Sequence, residues 1–195
     1  MTQSIAGKEV YPRPVQEKLP LWVATGGHVE STVKIAQAGL PIVYAIIGGN
    51  PRYFKKLIQA YREIGSESGH ADKDLKVGAH SWGWIAEDGE QAVKDYFHPT
   101  KQVVDAISKD RPHWQEMTYE QYLEQVGPNG AMFVGNPDQV AEKLIRMIED
   151  LDLDRFMLHL PLGSMPHDQV LKAIELFGTQ VAPKVRAYFA MKEGL

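Results

Sequence analysis

The 195-residue chain contains no cysteine. A disulfide scaffold, a thiolate nucleophile and a cysteine-based zinc site are therefore excluded. The absence of cysteine fits a reducing compartment, and the N-terminal residues include no apolar stretch typical of a signal sequence, so we expect a cytoplasmic protein. Because no run approaches the roughly 20 apolar residues of a membrane span, we expect no membrane association.

The excess of one sign of charge over the other is also small. The chain has 25 acidic and 21 basic side chains, and the two signs are interspersed along the sequence. A protein that binds the phosphate backbone needs a basic patch, and the sequence offers none. We therefore expect no nucleic-acid partner.

Several familiar catalytic motifs are missing. None of the seven histidines forms an HxxxH or HExxH pair, so we predict no metal site. The sequence has no GxSxG elbow for acyl transfer. Its first glycine turn is not GxGxxG, and no acidic residue follows the second predicted strand to bind a ribose, which disfavours a nicotinamide cofactor. The catalytic residues stay unknown at this stage.

What the sequence does contain is an alternation of short apolar runs with amphipathic helices. This alternation predicts an α/β protein with a parallel sheet. It fits either an open doubly wound sheet or part of a (β/α)8 barrel, and a complete barrel takes about 250 residues. The predicted strands are residues 21–25, 42–47, 77–86, 131–134 and 155–160.

Prolines mark the predicted boundaries. Residues 1–20 contain three prolines and no periodic pattern, which predicts an irregular lead-in to a single domain over residues 21–195. A helical insertion is predicted at about residues 106–136, before the last strand. We expect Pro99 to break or kink the helix that precedes this insertion, and Pro183 to kink or interrupt the last helix.

Residues 21–51 combine two strands with two glycine pairs. A glycine pair between a strand and a helix lets backbone amides approach a ligand at the positive end of the helix dipole. Both pairs follow parallel strands and should therefore lie on one rim, which favours an anion site over two tight turns without a ligand. His28 either meets the anion there or is simply solvated.

Aromatic and imidazole side chains mark the later strands. His80 and His159 fall inside predicted strands, where a hydrogen-bonded core histidine is the favoured interpretation. Trp82 and Trp84 share one face of the third strand with His80. These tryptophans either line a cavity for an aromatic ligand or pack against the sheet.

The succession of these motifs resembles the bacterial luciferase-like flavin monooxygenase family. The resemblance extends over about residues 11–189 and implies the C-terminal half of a TIM-type (β/α)8 barrel that binds FMN or takes reduced FMN as a substrate. The family's preceding βα units are missing from this sequence. The runs that carry the resemblance are YPRPVQEKLPLWVATGGHVEST, AQAGLPIVYAIIGGNP, YREIGSESGH, VGAHSWGWIAED and VGNPDQVAEKL.

The resemblance also implies a set of cofactor-binding residues. One group matches the turn that contacts the flavin phosphate, and the other matches the strand end and rim beside the isoalloxazine. His28 departs from the small capping residue that relatives often have there. The first group is Thr25, Gly26 and Gly27, and the second is Ala45, Ile46, Ile47, Gly48 and Gly49.

We therefore expect the FMN-binding part of a flavin-dependent oxidoreductase or monooxygenase. The resemblance implies a nicotinamide-dependent flavin reductase as the source of electrons. The alternative is a non-catalytic half barrel that self-associates and binds flavin or phosphate weakly or not at all. Half a barrel leaves strand edges unpaired at residues 21–25 and 156–160, which predicts a homodimer or a larger homo-oligomer.

Overall fold

Apolar runs of the sequence form parallel strands in the computed structural model, which describes residues 7, 9, 11–111, 114–192 and 194. The predicted parallel α/β arrangement is confirmed, with strand ends that differ from the predicted ones by up to two residues. The strands are β1 (Val23–Thr25), β2 (Ile42–Ala45), β3 (Val77–Ile85), β4 (Phe133–Gly135) and β5 (Arg155–His159).

Helices follow each strand in turn. Short 3₁₀ turns at Pro51–Phe54 and Asp72–Asp74 flank the second α-helix. The α-helices are α1 (Val29–Gln37), α2 (Lys55–Glu67), α3 (Gly89–Asp110), α4 (Tyr119–Val126), α5 (Pro137–Leu151), α6 (His167–Leu176) and α7 (Ala182–Lys192).

Strand β3 lies at the centre of the sheet. Its first residues pair with β2, with Ile42 opposite Val77, and β2 pairs in turn with β1. Residues 78–82 of β3 pair with β5, and residues 83–85 pair with β4. Within the described residues, β1 and β5 each have one hydrogen-bonded neighbour, so both predicted free edges are present.

The two faces of the sheet differ in burial. On one face, Ile42, Tyr44 and Ile46 are fully buried against residues of α1 and α2. The other face, which we call the open face, carries the alternate side chains of each strand. Its β5 members are exposed, whereas Phe156 and Leu158 on the opposite side of the strand are partly buried. The strand register places Ala24, Val43, Ala45, His80, Trp82, Arg155, Met157 and His159 on the open face.

The predicted break at Pro99 is wrong. Helix α3 runs without interruption through Pro99 and continues to Asp110, so its last turn takes up residues 106–110 of the predicted insertion. Tyr96 and Val104 are buried on either side of the proline, and this packing holds both halves as one helix. The buried Thr100 hydroxyl also donates to the Tyr96 carbonyl at 2.6 Å.

The predicted interruption near Pro183 takes the form of a π-helical turn. Residues Phe177–Val181 are π-helical and join α6 to α7, and Pro183 is the second residue of α7. A proline cannot donate to the carbonyl four residues earlier, and a wider turn just before it accommodates that missing hydrogen bond.

Gly83 generates a stability prediction. A Cβ at this position of β3 would overlap the Phe133 carbonyl oxygen and lie 2.5 Å from Leu158 Cδ1. A backbone carbonyl in a strand cannot move aside cheaply, so we expect Gly83→Ala to lower the free energy of unfolding by about 2 kcal/mol or more in urea titrations.

The matched control is Gly178→Ala. A Cβ there meets nothing within 4 Å, and the residue is helical. Alanine should leave stability unchanged or raise it by roughly 0.5–1 kcal/mol. Equal effects of the two substitutions would contradict the packing described for β3.

Candidate functional site

A cavity of about 580 Å³ lies beside the carboxyl ends of β1 and β2. This volume falls within the roughly 300–1,000 Å³ of small-molecule and cofactor sites. Five of the eight residues singled out in the sequence line it, namely Gly26, Ala45, Ile47, Gly48 and Gly49.

The other three predicted site residues lie around the cavity rather than along its wall. Ile46 is fully buried on the helix-covered face. Thr25 Oγ1 accepts a hydrogen bond from the Gly27 amide at 3.4 Å, which closes the first glycine turn. Gly27 has a φ of 94°, and a Cβ there would lie 2.8 Å from Phe54 Cε1, so the turn requires glycine.

The glycines on the cavity wall expose bare backbone. Cβ atoms built on Gly26, Gly48 and Gly49 meet nothing within 4 Å. A ligand in the cavity can therefore approach the main chain of both turns directly. This is the geometry that a phosphate or another anion needs in order to accept backbone N–H groups.

The first turn leads into a helix whose amino end has no side-chain cap. His28 occupies the N-cap of α1 and makes no capping hydrogen bond, and the Thr32 amide makes the first intrahelical bond, to the His28 carbonyl. The second turn differs, because Asn50 Oδ1 accepts the Arg52 amide at 3.0 Å. Of the two turns, the one that leads into α1 is therefore better able to bind an anion.

Two tryptophans form an aromatic part of the wall. Trp82 of β3 and Trp114 both line the cavity, and their ring centroids lie 6.4 Å apart. Trp84 instead stacks on Tyr96 at 6.0 Å in the core, so the packing interpretation is confirmed for Trp84. Sequence reasoning missed Trp114, whose only signal was a large aromatic within an otherwise polar loop.

Hydrogen bonds fix the loop that carries Trp114. Asp105 of α3 accepts the Met117 amide at 2.9 Å and the Lys101 ammonium at 2.7 Å. Lys101 also donates to the Met117 carbonyl at 3.1 Å. The Lys101 hydrogen bond holds the pKa of Asp105 below its ordinary value. Met117 is buried and lines the cavity, so this network positions part of the wall.

Lys143 supports the wall on the side of α4. The Lys143 ammonium is buried and donates to the carbonyls of Val126, Gly127 and Met132 at 2.9, 2.6 and 2.6 Å. The Val126 and Gly127 carbonyls lie at the carboxyl end of α4, where a cation also complements the helix dipole. Burial lowers the pKa of Lys143 to about 7.

Two histidines lie next to the cavity on the open face. His80 is registered beside Ala45, and His159 is registered beside Trp82. Their ring centroids are 5.6 Å apart. His159 is exposed, so its interpretation as a core histidine is wrong, because it lies on the open face, where the side chains of β5 are exposed.

The described residues contain no group of three or more histidine, aspartate or glutamate side chains placed to hold a metal ion. His113, one of the seven histidines, lies outside these residues. None of the described helices is both long enough and apolar enough to cross a membrane.

Most of the sequence matches a known protein family. Residues 2–154 match the family model described as luciferase-like monooxygenase. No functionally curated protein matches the sequence significantly.

Several solved structures share the fold. Monooxygenase RslO1 from Streptomyces bottropensis aligns with a TM-score of 0.72 and 19% identity, over 89% of this chain and 50% of its own. The coenzyme F420-dependent tetrahydromethanopterin reductase from Methanopyrus kandleri has a TM-score of 0.57 and 17% identity, over 85% and 50%. The oxygenating constituent of 3,6-diketocamphane monooxygenase from Pseudomonas putida, solved with FMN, has a TM-score of 0.55 and 17% identity, over 84% and 48%.

The chain therefore spans about half the length of each of these three structures. Together with the parallel βα order, this coverage confirms the predicted fold, which is half of a (β/α)8 barrel.

His80 generates a prediction about acid stability. Burial lowers the pKa of His80 below 6.5, and the neighbouring His159 lowers it further. Arg155 is the other basic group of β5 on this face. The unfolded chain then binds more protons than the folded chain below about pH 6.5, so the free energy of unfolding should fall as the pH drops through this range.

Urea unfolding between neutral and mildly acidic pH measures this loss. We expect His80→Gln to make the free energy of unfolding less dependent on pH in this range. A variant that loses stability with acid as steeply as the parent protein would contradict the assignment to His80.

Proposed function

Since the chain belongs to the luciferase-like monooxygenase family, we propose that it is the cofactor-binding half of an FMN-dependent oxidoreductase or monooxygenase. The observation that carries this proposal is one cavity that joins bare glycine backbone to a wall with two tryptophans, and whose first glycine turn leads into the uncapped start of α1. These are the features that a phosphate attached to a flat aromatic ring requires.

The residues of the first turn would hold the flavin phosphate. Gly26 exposes its backbone to the cavity, and the first-turn amides of α1 have no intrahelical acceptor. Thr25 and Gly27 shape the turn through their mutual hydrogen bond. Glu30 is the acidic residue of that helical turn, and its carboxylate is paired with Lys34 at 2.7 Å, which reduces its repulsion of an anion.

The second group of residues would hold the isoalloxazine. Ala45 and Ile47 present small and aliphatic side chains to the cavity, and Gly48 and Gly49 leave its rim open. Trp82 and Trp114 provide flat apolar surface on the same cavity. Apolar walls of this kind orient an aromatic ring and exclude water from it. Ile46 would act only by holding its neighbours in place, because its side chain is buried, its amide donates to the His80 carbonyl and its carbonyl accepts the Ser81 hydroxyl.

Bound FMN would supply the redox chemistry, accepting and donating electrons and, when reduced, reacting with dioxygen. In this proposal the described side chains bind and orient the cofactor, and none is assigned a proton-transfer role. A nicotinamide-dependent flavin reductase would reduce the flavin, and the protein would act in the cytoplasm.

The alternative is a half barrel that binds flavin weakly or not at all and has no catalytic role. The exposure of Met157 and His159 on the open face favours it, because a cofactor site with one missing wall loses binding energy to solvent. The two functions predict different affinities for FMN, which a titration measures directly.

The test compares FMN with riboflavin, which lacks the phosphate. Quenching of tryptophan fluorescence reports binding, because Trp82 and Trp114 lie on the cavity. We expect FMN to bind at least about tenfold more tightly than riboflavin, a difference of about 1.4 kcal/mol. Gly26→Asp places a carboxylate at the phosphate position and should remove this difference while leaving riboflavin binding unchanged.

The matched control is Gly178→Asp, which makes the same charge change on a helical turn that does not line the cavity. It should bind both flavins as the parent protein does. Absence of saturable FMN binding would overturn the enzyme proposal in favour of the alternative. Equal affinity for FMN and riboflavin in the parent protein would refute the phosphate assignment.

A further inference from the structure

The two outer strands of the sheet both present unused main-chain hydrogen-bonding groups. The Val23 amide donates to the Pro41 carbonyl on the β2 side at 2.9 Å, so the N–H and C=O of Ala24 point away from β2. The Asp154 amide donates to the Val77 carbonyl on the β3 side at 2.8 Å. In the register Ala79 lies opposite Phe156, and the main-chain groups of Ala79 face β5 because those of Gly78 and His80 face β2. Arg155 and Met157 therefore bond to β3, and the N–H and C=O of Phe156 and Leu158 point away from it.

The open face is uncovered at both edge strands, where Arg155 and His159 are exposed beside apolar side chains. Ala24 is exposed and Met157 is 37% exposed, and Trp22 lies over Arg155 with 4.6 Å between the guanidinium carbon and the ring centre. A parallel sheet is ordinarily buried on both faces. Within the described residues, no element of the chain covers the exposed part of this face.

Apolar side chains also stand on the helices that flank the two free edges. Val29 at the start of α1 is 66% exposed, and Leu171 and Ile174 of α6 are 53% and 51% exposed. Helix α1 follows the edge strand β1, and α6 follows the edge strand β5. Each free edge therefore has an unpartnered apolar helix surface beside it.

We propose that two copies of this chain close one eight-stranded parallel barrel about a two-fold axis that runs along the barrel. Each copy contributes β1, β2, β3 and β5, which lie side by side in that order. An axis along the barrel keeps every strand parallel, so β5 of one copy pairs with β1 of the other at two identical seams.

A second copy of the chain fits the free strand edges, the uncovered open face and the exposed helix side chains. It supplies a free parallel edge for each free edge, and its own open face covers the first. At each seam it places the exposed leucine and isoleucine of α6 near the exposed valine of α1. The barrel also puts both glycine-rich cavities on one rim and gives each cavity the opposite wall that it lacks. This inference does not depend on the cofactor, because the seams consist of backbone groups and of side chains that do not line the cavity.

Sedimentation velocity of the flavin-free protein tests the assembly. We expect a species of twice the 21.9 kDa chain mass. Ala24→Pro removes one outward N–H from β1 without removing a described ladder bond, and proline is tolerated at edge strands. This variant should sediment as a monomer with unchanged circular dichroism, whereas Ala24→Ser keeps the N–H and should stay dimeric.

Cross-linking tests the arrangement without relying on the folding of a proline variant. The chain has no cysteine, so Ala24→Cys and Met157→Cys each introduce a unique thiol. In the proposed barrel, position 24 of one copy lies across a seam from the β5 edge of the other, and identical positions lie on opposite walls. The two variants are mixed, unfolded together and refolded so that they form mixed dimers. A short bismaleimide should then cross-link the mixture, and it should cross-link either variant alone far less.

Three results would overturn the proposal. The first is a parent protein that sediments as a monomer at high micromolar concentration. The second is a folded proline variant that stays dimeric. The third is strong cross-linking of Ala24→Cys alone, which would place the two β1 edges together in an antiparallel dimer.

Discussion

The pairing of β3 with three other strands is the constraint on which the rest of the structure depends. Residues 77–80 of β3 pair with β2, residues 78–82 pair with β5, and the last three residues pair with β4. This register sets His80 beside Ala45 and Trp82 beside His159. A side chain on Gly83 would collide with the Phe133 carbonyl of β4, so the pairing of β3 with β4 depends on a glycine at that position.

Alternation along β2 and its extension then divides the molecule into a core and a site. Tyr44 and Ile46 turn toward the helices and are fully buried, whereas Ala45 and Ile47 turn toward the cavity. A shift of one residue would exchange the two sets, so the packing under α1 and α2 also fixes which side chains a cofactor meets. The stability of the fold and the shape of the site therefore rest on the same register.

The strand and helix order was predictable because the apolar runs are short and most of them are bounded by glycine or proline. The rim carrying Gly26 and Gly48 was predictable for the same reason, since parallel strands bring their carboxyl ends together. Trp114 was not, because its place on the cavity depends on Asp105, which binds the backbone of Met117. The continuity of α3 through Pro99 and the exposure of His159 also depend on tertiary neighbours that no local pattern reveals.

In the proposed function, the first glycine turn and the start of α1 receive the phosphate of a flavin. Amide hydrogen exchange with and without FMN tests it at the level of single segments. The account predicts that FMN slows exchange over residues 26–31, whereas riboflavin does not, and that the Arg52 amide, already bonded to Asn50, changes little. Slowed exchange confined to other parts of the chain, or none at a concentration of FMN that saturates binding, would contradict the account.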